Sequence, residues 1–380
     1  MTIGQRFPLP TGPWIAKWIL TAAVVVLPAP LAAAGQAQSA AQLRSALEAR
    51  GVETAVVPFE LTPAMREWVR ERVSRGASRK ARLEILIEEL LGPGGLGIDY
   101  RKDFTGTAAE VFELRSANCL SFTQLFLGLA REVGVPVFFL EVKDLQDYSK
   151  EGDLIVHSDH IALAYGPPHD MTLIDFAVEA GTKYHKIRPI SDLAATALFY
   201  SNRGAEHLRR GEMDEALRWS KDAVTIEPAI SALWINYGVA LRRVGAFERA
   251  EAAYRHALEL DPSQFAAYQN LAALLRLRGR TKEAFDLLAV TNRSANRNPF
   301  SYLALGDLSL RHGRVDEAAR FYRKAVRLTR DEAEPLAALG LFEVDHGNHR
   351  VARRLYQRAS KLDPAEPRVG MLERALDRDP

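Results

Sequence analysis

Residues 231–264 read SALWINYGVALRRVGAFERAEAAYRHALELDPSQ, and this stretch sets the pattern for the second half of the chain. Its Gly245 belongs to a series of glycines 34 residues apart, which are Gly211, Gly245, Gly279, Gly313 and Gly347. A second series keeps the same step: Ala216, Ala250, Ala284, Ala318 and Ala352. Five copies in register predict five helical hairpins over residues 197–366, in which glycine turns the chain and small residues let paired helices approach.

This pattern resembles the tetratricopeptide repeat, whose unit is a 34-residue helix-turn-helix. The resemblance implies an all-α solenoid whose concave face holds a protein or peptide partner. The third repeat departs most from the pattern, with Thr291 and Asn296 where alanine and proline are expected. Residues 367–380, with Val369, Leu372 and Leu376, are predicted to form a capping helix.

The first half of the chain holds its only cysteine, Cys119, within Ser116-Ala117-Asn118-Cys119-Leu120-Ser121-Phe122. Because there is no second cysteine, neither a disulfide nor a multi-cysteine metal site explains this residue. An apolar run with helical spacing follows, and Asn118 is a preferred N-cap, so Cys119 is predicted at the first position of a helix. A solitary cysteine can also be a small buried apolar residue without chemistry, and this alternative stays open.

Two further residues could activate this thiol. His160 opens the run Ile161-Ala162-Leu163-Ala164-Tyr165, and Asp175 lies inside Leu173-Ile174-Asp175-Phe176. Both runs have the composition of strands. A nucleophilic cysteine needs a neighbouring base and a group that orients the base, so the chain contains the parts of a thiol active site.

Residues 104–142 resemble the core of the transglutaminase-like superfamily, and the likeness extends over about residues 85–190. It implies an α+β domain over residues 41–192, in which a helix carrying the cysteine packs on an antiparallel sheet. It also implies that Cys119 is the nucleophile, His160 the general base and Asp175 the residue that orients the histidine.

Other residues compete for these roles. His157 lies three positions before His160 on the same strand, so it points to the opposite face. His169 follows Pro167-Pro168 in a loop, His185 lies beyond the Asp175 strand, and Asp159 points away from its neighbour His160. Asn118 could help to hold an oxyanion beside the Cys119 backbone N–H, or it could simply cap the helix.

The N-terminus has the layout of a secretory signal peptide. Arg6 and Lys17 precede the apolar stretch 18–27, and small residues follow at 32–34. This arrangement predicts a signal peptide over residues 1–34, cleaved after Ala34 or Ala37. The abundant alanine and arginine are typical of a GC-rich bacterial genome, so export would lead to the periplasm. Retention as an uncleaved inner-membrane anchor is the alternative, and no stable membrane span is expected after cleavage.

Residues 41–100 are predicted to be helical. The patterns indicate helices over Ala41 to Arg50, from Thr62-Pro63 onward, and over Arg79 to Leu91. The formal net charge is only +2 and no long basic run occurs, so the sequence does not suggest nucleic-acid binding. Phosphate-binding loops and metal-ligand motifs are also absent from the sequence, and we expect neither a cofactor nor a metal.

Two functions from different classes are compatible with these patterns. In the first, the protein is an exported cysteine peptidase or amidase that works through an acyl-enzyme, while the repeats recruit a protein substrate. In the second, the transglutaminase-like domain is inactive and the repeats form a periplasmic scaffold. The sequence does not name the substrate, nor does it separate peptidase, amidase and acyltransferase activities.

Overall fold

A computed structural model describes the chain at residues 20–23, 37–52, 54–92, 94–151, 154–167, 171–176, 187–293, 299–311, 313–329 and 332–378. The chain divides into two compact units. The first comprises Met1–Asp147 and Ser158–Pro228, and the second comprises Tyr148–His157 and Ala229–Pro380.

The N-terminal part combines helices with two small sheets. Its helices are α1 (Ala40–Glu48), α2 (Pro63–Arg72), α3 (Arg79–Leu91), α4 (Ala108–Leu114), α5 (Cys119–Glu132), α6 (Asp192–Arg209) and α7 (Met213–Ile226). Its strands are β1 (Leu20–Ala23), β2 (Asp99–Tyr100), β3 (Ser116–Ala117), β4 (Val137–Glu151), β5 (Leu154–Tyr165), β6 (Met171–Ile174) and β7 (Ile187–Pro189). The predicted helices at 41–50, after Thr62-Pro63 and at 79–91 are therefore confirmed, and Thr62 caps α2 through its side chain.

The larger sheet has the strand order β1-β6-β5-β4-β7. β5 and β6 are antiparallel neighbours, with Leu163 opposite Ile174 and Tyr165 opposite Thr172. β7 joins the other edge by pairing antiparallel with β4. The strands β2 and β3 form a separate parallel pair in which Tyr100 lies opposite Ala117. This second pair places the chain just before Cys119 beside the segment that follows α3.

Helix α5 is the central helix of the first unit. Every residue from Leu120 to Ala130 is buried. A helix that is buried on all sides along this stretch must be enclosed by other elements. Helices α2, α3 and α4 pack against it. The first turn of this buried helix carries Cys119.

One glycine lets α5 approach the segment before α2. A Cβ built on Gly128 would lie 2.4 Å from the Phe59 carbonyl oxygen and 2.9 Å from Leu61 Cδ2. Contacts this short force a displacement, and a backbone carbonyl cannot rotate away as a side chain can. Gly128 is therefore a close-packing glycine in the middle of a helix.

We expect Gly128→Ala to lower the free energy of unfolding by about 1–2 kcal/mol, because overpacking outweighs the gain in helix propensity. Urea denaturation compares the variant with Gly76→Ala, where the nearest heavy atom would be Ser74 Oγ at 3.6 Å. The control should change stability by less than about 0.5 kcal/mol. Equal stability of the two variants would contradict this packing argument.

The repeat region is helical throughout its described residues. Its helices are α8 (Ser231–Arg243), α9 (Phe247–Leu260), α10 (Phe265–Leu277), α11 (Thr281–Arg293), α12 (Pro299–Arg311), α13 (Val315–Leu328), α14 (Ala333–Asp345), α15 (His349–Leu362) and α16 (Pro367–Arg378). Helix α16 confirms the predicted capping helix, and its Val369, Leu372 and Leu376 are buried. Residues 294–298 of the divergent third repeat, which include Asn296, lie outside the described residues.

The glycines and alanines that recur every 34 residues have the structural roles that were predicted for them. The five glycines of the series all have positive φ, between 70° and 78°, in the turn between the two helices of each hairpin. The five alanines are completely buried. Gly238 lies against the Tyr254 ring, where a Cβ would come within 2.5 Å of Tyr254 Cε1. Small residues therefore decide how closely the paired helices pack.

The first helical hairpin, α6 and α7, lies in the same compact unit as the N-terminal elements. The Tyr200 hydroxyl accepts a hydrogen bond from the Val56 backbone N–H at 2.7 Å. Arg131, near the end of α5, forms two hydrogen bonds of 2.8 and 2.9 Å with Asp192 at the start of α6. These contacts are buried or half-buried, so the boundary between compact units falls after this hairpin rather than before it.

The predicted signal peptide lies almost wholly outside the described residues. Within it, only the strand β1 is described, and it pairs antiparallel with β6, with Leu20 opposite Ile174. The signal peptide and its cleavage site remain predictions. Across the described residues, no helix combines the length and hydropathy needed to cross a bilayer.

Candidate active site

Cys119 is the first residue of α5, as predicted. Asn118 is the N-cap, and its Oδ1 accepts a hydrogen bond of 2.8 Å from the Ser121 backbone N–H. The thiol is half-buried. The first N–H groups of a helix have no partner within it, and together with the helix dipole they favour negative charge there. The position therefore suits both a thiolate and an oxyanion.

The structure brings His160 and Asp175 together. His160 lies on β5 and Asp175 directly follows β6, so the antiparallel pairing of these strands sets the two side chains side by side. His160 Nε2 donates to Asp175 Oδ2 at 2.7 Å, and both side chains are about nine-tenths buried. Asp175 was predicted on a strand and lies one residue beyond the end of β6. It contacts His160, the partner that was predicted for it.

Cys119 completes the cluster, because its side chain forms a hydrogen bond with His160. Since Nε2 is engaged by Asp175, Nδ1 is the ring nitrogen left for the sulfur. Burial by itself lowers the pKa of His160, but hydrogen bonds to Asp175 and Cys119 and the negative charge of both partners outweigh it. Together they raise the pKa of His160 from 6.5 to about 10. The imidazole is therefore protonated at neutral pH.

This raised pKa predicts how stability varies with pH. The folded state holds the His160 proton more tightly than the unfolded chain does. The protonated histidine therefore adds to the free energy of unfolding, fully below pH 6.5, and this contribution is lost as the pH rises towards 10. We expect the stability advantage of the wild type over His160→Gln to shrink steadily across this range. Urea denaturation at several pH values measures it, and an advantage that grows with pH would contradict the protonated state.

Asn118 has a structural role beside Cys119. Its Nδ2 donates to Thr105 Oγ1 at 3.0 Å, while its Oδ1 accepts from Ser121. Ser121 Oγ in turn accepts a hydrogen bond of 2.9 Å from the Gly106 backbone N–H. Both ends of the amide are thus engaged, which favours the capping interpretation over oxyanion binding. The backbone N–H groups at the start of α5 are the better candidates for that role.

Helix α6 supports this network, which the sequence analysis did not foresee. Arg203 donates to the Thr105 carbonyl oxygen at 2.9 Å, and Glu206 accepts from the Thr105 backbone N–H at 3.3 Å. Thr105 connects these groups to Asn118, next to Cys119. The available sequence signal was a carboxylate at a position where the later repeats have the apolar residues Ala240, Leu274, Leu308 and Phe342. Its role became visible only once α6 was placed against residues 104–107.

Two aromatic rings join the helix that begins at Cys119 to the Asp175 segment. Phe122, one turn after Cys119, stacks on Phe176 with ring centroids 4.2 Å apart and planes 5° apart. The Tyr100 ring lies 5.7 Å from Phe176 and is about half-exposed. Because Phe176 is bonded to Asp175, this stack helps to fix the distance between the acid and the thiol.

The structure does not describe the side chains of the other residues that compete for the roles of His160 and Asp175. The backbones of His157 and Asp159 belong to β5, but their side chains are not among those described. His169 and His185 lie outside the described residues. Within the described part of the chain, no group of three or more His, Cys, Asp or Glu side chains could hold a metal ion.

Family models of known proteins match the repeat region of the chain. Family models of the tetratricopeptide repeat match residues 231–264, 253–286 and 301–336. The chain carries tetratricopeptide repeats. These matches confirm the repeat pattern inferred from the spacing, and tetratricopeptide repeats are modules of protein–protein interaction. All three matches lie within the second compact unit.

Two curated proteins resemble short parts of the chain. The mouse protein O-mannosyl-transferase TMTC1 is 31% identical over 107 residues, which is 28% of this chain and 11% of that protein. The small glutamine-rich tetratricopeptide repeat-containing protein 2 of Mycosarcoma maydis is 32% identical over 97 residues, or 26% of each chain. The chain thus spans only a minor part of either relative.

Solved structures show a similarly partial likeness. MamA (41-end) from Desulfovibrio magneticus RS-1 is 26% identical, with a TM-score of 0.35, covering 45% of this chain and 97% of that one. The pilF protein of Pseudomonas aeruginosa is 20% identical, with a TM-score of 0.43, covering 49% of this chain and 85% of that one. YrrB, described as a tetratricopeptide repeat protein with an unusual peptide-binding site, is 15% identical, with a TM-score of 0.33, covering 47% and 92% respectively.

Proposed function

We propose that the protein is a transglutaminase-like cysteine hydrolase that cleaves a peptide or amide bond through an acyl-enzyme, and that its repeats recruit the protein substrate. The observation that carries this proposal is the contact of three side chains from separate elements: Cys119 on α5, His160 on β5 and Asp175 after β6. A buried cysteine without chemistry has no need of a protonated histidine and a carboxylate.

The chemistry follows from this arrangement. The Cys119 sulfur attacks the substrate carbonyl carbon, and the backbone N–H groups at the start of α5 stabilise the oxyanion that forms. His160 Nδ1 gives its proton to the leaving amine, so the C–N bond breaks and a thioester remains. A water molecule then loses a proton to His160 and attacks the thioester, which releases a carboxylic acid and restores the cysteine thiolate beside the protonated histidine. Asp175 orients the imidazole throughout and stabilises its positive charge.

The same proposal includes the cellular location of the protein. The residue pattern of the first 34 positions supports export to the periplasm, or retention at the inner membrane if the segment is not cleaved. A single cysteine is compatible with an oxidising compartment, because it has no internal partner for a disulfide. Fractionation of bacteria that produce the full chain would test this, and recovery in the cytoplasm alone would contradict it.

Activity can be tested without knowing the natural substrate. The full chain is incubated with a library of peptides derived from a bacterial proteome, and new peptide termini are identified by mass spectrometry. We expect cleavage products with the wild type and none with Cys119→Ala. Identical product patterns, or no products with either protein, would instead favour a non-catalytic scaffold that acts through its repeats.

A further inference from the structure

Helix α15 exposes a stripe of positive charge. Residues 349–362 include no Asp or Glu, and five of them are exposed cations. These are Arg350, Arg353, Arg354, Arg358 and Lys361. Their spacing of three and four residues places them along one side of the helix, opposite the buried Ala352, Leu355 and Ala359. The stripe therefore runs along α15 on the side that faces away from the repeat core.

The cations of this stripe have no acidic partner in the part of the chain that the structure describes. None of the five lies within ion-pair distance of a carboxylate there. The two carboxylates that follow the helix accept hydrogen bonds from the next turn, Asp363 from the Ala365 N–H and Glu366 from the Arg368 N–H. Like charges three and four residues apart repel one another, so the stripe destabilises the helix that carries it. An anionic surface outside the protein would remove this repulsion.

Helix α9, three repeats earlier, carries the opposite charges. It has Glu248, Glu251 and Glu259 at the positions where α15 has Arg350, Arg353 and Lys361. Its Arg255 forms ion pairs of 2.8 and 2.7 Å with Glu251 and Glu283. The repeat fold thus accepts acids at these positions, and the packing of the repeats does not require the cations of α15.

Helix α13, one repeat before α15, extends the positive surface. Its Arg320 and Arg327 occupy the positions of Arg354 and Lys361, and both are exposed. Neither has an ion pair among the described residues. Because repeats stack in register, equivalent positions lie on the same side of the solenoid. We call these two arginines and the five cations of α15 the basic face.

Two exposed aliphatic side chains border the basic face. Val351 and Leu362 are 44% and 42% exposed. Their spacing along α15 puts both on the same edge of the stripe, one near each end. Aliphatic side chains next to cations match the boundary between the headgroups and the acyl chains of a bilayer.

A lipid surface fits this arrangement better than an acidic protein does. The core of a protein interface is depleted of charged residues, whereas here the cations occupy the middle of the exposed side and the aliphatic groups lie at its edge. Lipid phosphates require no matching shape, and each Lys or Arg close to an anionic membrane adds to the binding. The planar group of arginine can also donate two parallel hydrogen bonds to a phosphate.

We propose that the basic face binds the surface of a bilayer that contains anionic lipids, and that it holds the repeats at the membrane whether or not residues 1–34 are removed. Lipid phosphates then balance cations that have no partner among the described residues. This proposal goes beyond the hydrolase proposal and does not depend on the reactivity of Cys119.

The test is sedimentation of the full chain with vesicles of phosphatidylcholine, with and without phosphatidylglycerol. We expect binding to the anionic vesicles to be about tenfold or more stronger at low salt, and this preference to decline as salt is added. Equal binding to the two kinds of vesicle would overturn the proposal. Residues 1–34 are present in the parent and in every variant, so they do not affect the comparison between them.

A triple variant locates the site. Arg350→Glu/Arg353→Glu/Lys361→Glu introduces the acids that α9 has at these positions, so the repeat should still fold. Its affinity for anionic vesicles should fall about 100-fold or more, because three favourable contacts with the membrane are lost. Circular dichroism checks the fold. If the variant unfolds, the same three positions are changed to Gln, which removes the cations without adding acids.

The matched control is Arg75→Glu/Arg79→Glu/Lys80→Glu, which makes the same change of net charge at exposed positions of the first unit. It should bind anionic vesicles as the parent does. Equal losses in the two triple variants would show that net charge alone decides binding, and unaltered binding in the α15 variant would show that another surface is responsible. Tighter binding of the parent to polyglutamate than to anionic vesicles would assign the face to an acidic protein. Each of these three results would overturn the proposal.

These results are separable from those for the proposed hydrolase. Vesicle binding that depends on the basic face, together with an unreactive Cys119, would uphold the membrane contact and contradict the enzyme. Peptide cleavage without any preference for anionic vesicles would do the reverse.

Discussion

Replacing His160 by alanine is expected to slow alkylation of Cys119 by iodoacetamide at pH 6 by about 100-fold, because a cysteine without an activating partner is almost wholly protonated there. In the wild type, His160 contacts both the sulfur and Asp175, and its pKa is raised to about 10. The histidine is therefore cationic at pH 6, and it can stabilise the negative charge of the sulfur as it attacks. This is the largest effect on the reactivity of Cys119 that we expect from a single substitution.

The measurement is the rate of mass gain on the intact protein, which has one cysteine and hence one site of thiol alkylation. His256→Ala is the matched control, because that histidine lies on α9 in the other compact unit and pairs with Glu259. It should leave the rate unchanged. If the wild type reacts no faster at pH 6 than His160→Ala does, then His160 does not activate Cys119 and the enzyme proposal fails.

The second large effect is structural. Asp192→Ala is expected to lower the free energy of unfolding of the first unit by about 3–5 kcal/mol, because it leaves Arg131 half-buried without its carboxylate. Arg131 Nη1 and Nη2 donate to the two oxygens of Asp192 at 2.8 and 2.9 Å, and the Gln38 backbone N–H donates to the same carboxylate at 2.8 Å. This cluster ties the end of the Cys119 helix to the start of α6.

Urea denaturation followed by tryptophan fluorescence measures the change. Glu215→Ala removes one partner of the more exposed pair Glu215–Arg218 and should cost less than about 1 kcal/mol. The double variant Arg131→Met/Asp192→Ala should recover part of the loss, since no buried charge is then left uncompensated. A loss in Asp192→Ala no larger than in the Glu215 control would show that the buried pair does not hold the two helices together.

Local patterns predicted much of the fold because local interactions form it. Asn118 caps α5, Thr62 caps α2, and glycines with positive φ turn the repeats at the predicted positions. Each of these features depends on a few neighbouring residues and on one backbone conformation, so spacing alone carries the information. The helices of residues 41–91 and the capping helix α16 were predictable for the same reason.

The supporting residues of the candidate site were not predictable in this way. Thr105, Glu206 and Phe176 lie far apart in the sequence and have no recurrent spacing. They meet because α6 packs against residues 104–107 and because Phe122 stacks on the residue after Asp175. The repeat pattern assigned α6 to the repeats but did not predict its contacts with the N-terminal elements. Such a pattern contains only the features that the repeats have in common.

The sequence by itself determined the 34-residue helical hairpins, the helix that starts at Cys119 and the three residue types needed for an activated thiol. These depend on capping, periodicity and turn geometry, which act between residues close in the chain. Only the tertiary structure decided that Cys119, His160 and Asp175 meet, and that hydrogen bonds engage both ends of the Asn118 amide. Such contacts arise from the packing of distant elements around a shared core, which no local pattern encodes.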